Sequence, residues 1–183
     1  NNSYPTSTGP YWGGDAVVWG QGSGLSAFVS MRQIDTGTTN EQSLSQLDDK
    51  MFNSINSFIT NDNGLSAYAV YPASGNERYY DDNVWIGLDM VRWYEITKNS
   101  RYLDKAKMVW NYLMTGWTSS CGGGILWKEY PTPSTTKHTC SIAPTAVLGC
   151  KLFMATGDNT YLTKAQELYS WVKTYLQDPS DYL

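Results

Sequence analysis

Two adjacent aspartates, Asp81 and Asp82, follow Tyr79 and Tyr80 and precede Asn83, Val84 and Trp85. Carboxyl groups so placed can do acid/base or nucleophilic chemistry if one is ionised and the other protonated. In the middle of a helix, neighbouring residues project in different directions. At a helix start the backbone is not yet regular, and both groups can approach one cavity. The free N–H groups and the positive end of the helix dipole there favour an ionised carboxylate. Repulsion within the pair, with desolvation by Tyr79, Tyr80 and Trp85, keeps the second proton on. One ionised and one protonated carboxyl is the pairing that glycoside hydrolysis requires. The plain structural alternative stands beside it, because aspartate is also among the commonest helix caps.

The rest of the composition narrows the chemistry. A formal charge of −4, with basic residues scattered, leaves nothing to neutralise a run of phosphates and excludes a nucleic-acid partner. The chain shows no long apolar run, so no membrane span is expected. Charged residues are only 16 %, and Ser, Thr, Asn, Gln and Gly carry much of the polarity, which points to a secreted protein. Eight Trp and 14 Tyr against four Phe supply flat faces with polar tips, suited to stacking on sugar rings or to ordinary helix packing. His138 is the only histidine and reads as a cap or surface group, so a nucleophilic triad is not expected. Asp15 and Gln21, with Trp12 and Trp19, either join the same cleft or serve helix-start polarity and packing. The Asp48-Asp49 pair, with no aromatic company, reads as a solvated mid-helix face. Three cysteines have no metal-type spacing. Cys121 and Cys140 could bridge in an oxidising compartment, whereas Cys150 falls on an apolar helix face and reads as a buried thiol.

Apolar residues recur at helical spacing in six stretches, and strand-like alternation is scarce. The stretches are Ala16 to Ile34, Ser43 to Ile59 with Ser43 as cap, Asp82 to Thr97, Ser100 to Thr115, Cys140 to Thr156 and Thr160 to Gln177. The run from Ile96 to Ala106 matches the run from Ala155 to Ala165 in constant register, Tyr-Leu included. Such self-similarity marks an array of helical hairpins. Long loops, from Asn61 to Tyr80 and from Gly116 to Lys137, would then carry the function. The fold expected is all-α.

Tyr80-Asp81-Asp82-Asn83-Val84-Trp85-Ile86-Gly87-Leu88 resembles the Asp-Asp motif of glycoside hydrolase family 76, the endo-α-1,6-mannanases. Cys121-Gly122-Gly123-Gly124-Ile125-Leu126-Trp127-Lys128 is similar to that family's next glycine loop, and the similarity runs from about Trp12 onward. The resemblance implies an (α/α)6 toroid, or about half of one. It implies a retaining, endo-acting enzyme on mannan-type polysaccharide that needs neither metal nor cofactor. Asp81 would be the nucleophile and Asp82 the acid/base. Tyr80, Trp85, Gly123, Gly124, Trp127, Trp12 and Asp15 would contact substrate, Trp85 would support the helix start, and Lys128 would be either a substrate contact or a solvated loop charge. Ser141 is present where the family commonly has Ser-Asn, but Ile142 replaces the asparagine. A family toroid has about twelve helices against roughly six here, which implies a domain incomplete at its C-terminus, or a second chain. The alternatives are a transglycosylating or non-catalytic carbohydrate-binding cell-wall protein on the same scaffold and, more remotely, a peptide-binding helical solenoid.

Overall fold

The computed structural model describes residues 17–72, 77–130 and 132–180. Its helices are α1 (Val18–Asp35), α2 (Glu41–Ser45), α3 (Asp48–Asn56), α4 (Tyr80–Thr97), α5 (Ser100–Thr115), α6 (Thr139–Thr156) and α7 (Asn159–Tyr175). Helices α1, α4 and α6 pack side by side, with α5 behind α4 and α7 behind α6. The array is therefore built of hairpins, as the internal repeat requires. The repeat extends to hydrogen bonds. Thr97 Oγ1 donates to the Trp93 carbonyl and accepts from the Asn99 N–H, and Thr156 Oγ1 does the same with Leu152 and Asp158. Lys98 and Gly157 then turn the chain at φ 58° and 76°. Asn99 and Asp158 cap the following helices by accepting from the N–H two residues on.

The core lies where the helices meet. Val84, Met90, Val91 and Trp93 of α4 face Tyr102, Ala106, Val109 and Leu113 of α5 within one buried cluster. Trp93 stacks on Tyr102 at 4.2 Å. Close approach of α4 to its neighbours depends on Gly87. A Cβ there would lie 2.8 Å from Val109 Cγ1 and 3.0 Å from Leu148 Cδ2. Gly87→Ala is therefore expected to destabilise the protein by about 1–3 kcal/mol, although alanine is the better helix former. A lower denaturant midpoint at unchanged m-value would show it.

Helix α6 is, among the described helices, long and apolar enough to cross a membrane, but it packs between α4 and α7 as a core helix. Pro144 lies inside this helix, beyond its first turn, where it has no N–H to give to the Cys140 carbonyl.

Five expectations change. The single helix from Ser43 to Ile59 is two helices broken at Gln46 and Leu47. Asp48 thus opens α3 and pairs with buried Arg32 at 3.0 Å, and so is no solvated mid-helix face. The long loops contain strands. β1 (Ile59–Asp62) and β2 (Leu65–Tyr68) form a hairpin, and β3 (Arg78–Tyr79) pairs antiparallel with β4 (Lys128–Tyr130). The first hairpin turns on Asn63-Gly64, both at positive φ, a strong local hairpin signal within the stretch expected as a loop. Cys150 is exposed, because the apolar side of α6 is not wholly packed, and all three cysteines are free thiols with no Cys121–Cys140 bridge.

Candidate active site

The start of α4 is fixed from below by Asn83. Its Oδ1 accepts the Tyr68 N–H at 2.8 Å, and its Nδ2 donates to the carbonyls of Tyr68 and Tyr79 at 2.9 and 2.8 Å. This buried amide ties β2 to the first turn of α4. The strand pair β3–β4 brings the second loop against the same turn, where the Tyr80 N–H donates to the Trp127 carbonyl. Asp81 and Asp82 are the second and third helical residues, behind Tyr79 at the cap position. The backbone is already helical there. Both side chains share a cavity because the cavity lies across the end of the helix.

That cavity, about 440 Å³, is lined by Asp81 and Asp82 together with Trp127, Tyr79, Tyr71, Glu77 and Trp19. Trp127 Nε1 donates to Asp81 Oδ2 at 3.1 Å, and the Cys140 thiol lies 3.7 Å from the same oxygen. Asp81 Oδ1 is buried without a hydrogen-bond partner among the described residues. Burial, and then the neighbouring Asp81 charge, push the Asp82 carboxyl up to about 7. Neither aspartate acts as the α4 cap, so the plain structural alternative loses its main support.

One wall of the cavity is a fixed aromatic corner. Tyr79 and Trp127 meet at 4.9 Å between ring centroids, tilted by 60°. Glu77 accepts from Tyr79 Oη at 2.8 Å and from Lys128 Nζ at 2.9 Å. Burial and that hydrogen bond push the Tyr79 phenol up to about 12, while the Lys128 ammonium holds Glu77 below the usual carboxylate range. Lys128 is thus a paired residue, not a free loop charge.

The other residues singled out in the sequence fall in different places. Trp85 reaches a neighbouring cavity with Asp82. Tyr80 does not enter the cleft. It is buried, stacked on Tyr112 at 4.7 Å and pressed against Gly116, because the first residue of α4 points back into the core. Gly123 and Gly124 do not line the cleft either. A Cβ on Gly123 would lie 2.9 Å from Trp117, and one on Gly124 3.1 Å from Trp171. Four successive residues from Cys121 to Gly124 have positive φ, and they wrap the Trp171 indole, whose Nε1 donates to the Cys121 carbonyl. The glycines thus leave room for a tryptophan from α7. Lys137 Nζ pins this loop through the carbonyls of Thr118, Ser120 and Gly123. Ile142 is fully buried against Gly124, so its side chain belongs to packing. His138 occupies the α6 cap position, with its ring 5.4 Å from Trp127. Trp12 and Asp15 lie outside the described residues.

Glu77 and Asn83 went unnoticed in the sequence. Asn83 sits inside the Asp-Asp motif, so its place was visible, but its strand partner was not. Glu77 carries no motif of its own.

The comparisons with known proteins agree on one family. The model of glycosyl hydrolase family 76 matches residues 2–183. A putative mannan endo-1,6-alpha-mannosidase of Schizosaccharomyces pombe is 27 % identical over 176 residues, covering 91 % of this chain and 37 % of that protein. A family 76 glycoside hydrolase from a bovine Bacteroides thetaiotaomicron strain is 56 % identical with a TM-score of 0.92, over 98 % of this chain and 38 % of that one. A second, a family 76 mannosidase from Bacteroides thetaiotaomicron, is 52 % identical with a TM-score of 0.92, over 98 % and 48 %. The solved family 76 neighbours are α/α toroids, and this chain spans less than half of the length of each of these relatives. Its helical hairpins are those of the toroid, and the chain belongs to glycosyl hydrolase family 76.

Proposed function

We propose that this chain supplies the acid/base centre of a retaining, endo-acting, extracellular glycoside hydrolase that cleaves α-1,6-mannosidic linkages in mannan-type polysaccharide. Residues 1–183 would form part of its single α/α-toroid catalytic domain. Family membership and the similarity to the putative mannan endo-1,6-alpha-mannosidase of Schizosaccharomyces pombe support the substrate class. The observation that carries the chemistry is one cleft holding both aspartates, with Asp82 kept protonated toward neutral pH beside Asp81. Asp82 donates its proton to the glycosidic oxygen as Asp81 attacks the anomeric carbon. The C–O bond breaks, and a covalent mannosyl-Asp81 ester forms. Asp82, now a carboxylate, takes a proton from water, and the resulting attack cleaves the ester with net retention. Trp127 orients Asp81 through its indole N–H and, with Tyr79, walls the sugar site.

The pH dependence tests the division of labour. Asp82 must be protonated to act as the acid, and its proton is lost as pH rises through about 7. The expected kcat/KM on α-1,6-mannan therefore falls on an alkaline limb with an apparent pKa near 7. A profile that stays flat to pH 9 while mannan is being cleaved would contradict this role for Asp82.

A further inference from the structure

Among the described residues, Cys140 joins no disulfide and no metal-type cluster, yet its sulfur meets Asp81. It stands in the first turn of α6, directly after Thr139, the first helical residue. The two residues that follow it, Ser141 and Ile142, are fully buried and anchor that turn. Two positions earlier, the His138 ring lies 5.4 Å from Trp127. The start of α6 is thus fixed against the wall of the cleft, and Cys140 Sγ comes within 3.7 Å of Asp81 Oδ2.

Which partner donates follows from the charges. Burial, and then the Asp81 charge, push the Cys140 thiol up from a range already above neutral, so it keeps its proton. As the nucleophile, Asp81 is a carboxylate and only accepts, so the S–H donates. Asp81 Oδ2 therefore takes two donors from different elements, the Trp127 indole N–H at 3.1 Å and the Cys140 thiol. Oδ1 takes none among the described residues.

We infer that Cys140 is a positioning residue for the nucleophile, whose thiol holds Asp81 and eases its departure from the sugar in the second half of the reaction. This rests on the hydrolase reading above. A donor binds a carboxylate more strongly than an ester, because the ester carries no charge. The hydrogen bond from the thiol weakens as the ester forms and strengthens again as it breaks. In that second step the bond between the anomeric carbon and Asp81 breaks, and its electron pair returns to the carboxylate. Water gives its proton to Asp82 as its oxygen bonds to the anomeric carbon. The thiol is neither consumed nor deprotonated. Its contribution therefore falls on breakdown of the ester more than on its formation.

The test measures the two steps separately in the full-length enzyme. For the α-fluoride of an α-1,6-manno-oligosaccharide, kcat/KM for fluoride release reports formation of the ester. Breakdown is read from the regain of activity after the ester has been trapped with a 2-deoxy-2-fluoro sugar and excess reagent removed. Cys140→Ala, at an exposed position, should slow that regain about fivefold, the factor expected from one lost hydrogen bond, and change kcat/KM for the fluoride less than about twofold. Cys140→Ser, which keeps a donor, should recover most of the loss. Slowing of both steps alike, slowing of neither, or a Cys140→Ser variant as slow as Cys140→Ala overturns the assignment. Wild-type enzyme that cleaves neither the fluoride nor α-1,6-mannan overturns the hydrolase reading itself, and the positioning role with it.

Discussion

Asp81→Asn is expected to lower turnover of α-1,6-mannan by about four orders of magnitude, with the fold intact. An amide in place of the carboxylate cannot form the ester, and loss of a covalent nucleophile removes a large share of catalysis. Asp82→Asn should also abolish mannan cleavage, for a different reason: it leaves the glycosidic oxygen unprotonated. Substrate choice separates the two. A glycosyl fluoride needs no proton to depart, so Asp82→Asn should still form the ester and then stall, releasing about one equivalent of fluoride in a burst. Asp81→Asn should give no burst. Thermal melts of both variants check the fold, and neither should lose much stability, because neither side chain caps α4.

Arg78→Met is the substitution expected to cost most stability outside the cleft. Its side chain is wholly buried, and its guanidinium meets Glu129 at 2.6 Å, Asp62 at 3.5 Å and the Leu65 carbonyl at 2.8 Å. It also lies 5.3 Å from the centre of the Tyr112 ring. One side chain thus joins β1–β2, β3–β4 and α5. Removing it leaves two carboxylates without their cation in a partly buried setting, which costs about 3–5 kcal/mol. For a chain of this size, that corresponds to a Tm lower by about 10 °C. Activity should fall as well, because Glu129 sits on the strand that follows Trp127, and Trp127 is what points an N–H at Asp81. A melt within 2 °C of wild type, by the same scaling, would mean that the cluster holds without its cation.

What could be read from the sequence was what local pattern encodes. Helix α5 runs from Ser100 to Thr115 as the spacing predicts, and the repeated Thr-x-Asx turn joins α4 to α5 and α6 to α7. The Asp-Asp pair was visible because two carboxylates among aromatics at a helix start are chemically unusual. Residues whose roles depend on a distant partner were not visible. Tyr80 looked like a cleft residue because it precedes Asp81, yet helical geometry turns it to Tyr112. The glycine loop looked like a place for a sugar to approach, but Trp171, about fifty positions on, fills that space. Arg78 and Glu77 draw their meaning from Glu129 and Lys128 across a strand pair that periodicity does not reveal. The hairpin at Asn63-Gly64 is a different case. Its signal was local and present, but the stretch from Asn61 onward reads as a loop when only helical periodicity is followed.

If Asp81 carries the mannosyl group through the reaction, the sugar can be trapped on its carboxylate. A 2-deoxy-2-fluoro mannosyl fluoride slows both steps by destabilising positive charge at the anomeric carbon, and its good leaving group lets the ester accumulate. Incubation with the full-length enzyme, digestion and peptide mass spectrometry then locate the sugar. One fluorosugar per chain is expected, attached at Asp81, on the peptide that contains Asp82 unmodified. A sugar attached at Asp82 or at any other residue, from an enzyme that cleaves mannan, would contradict it.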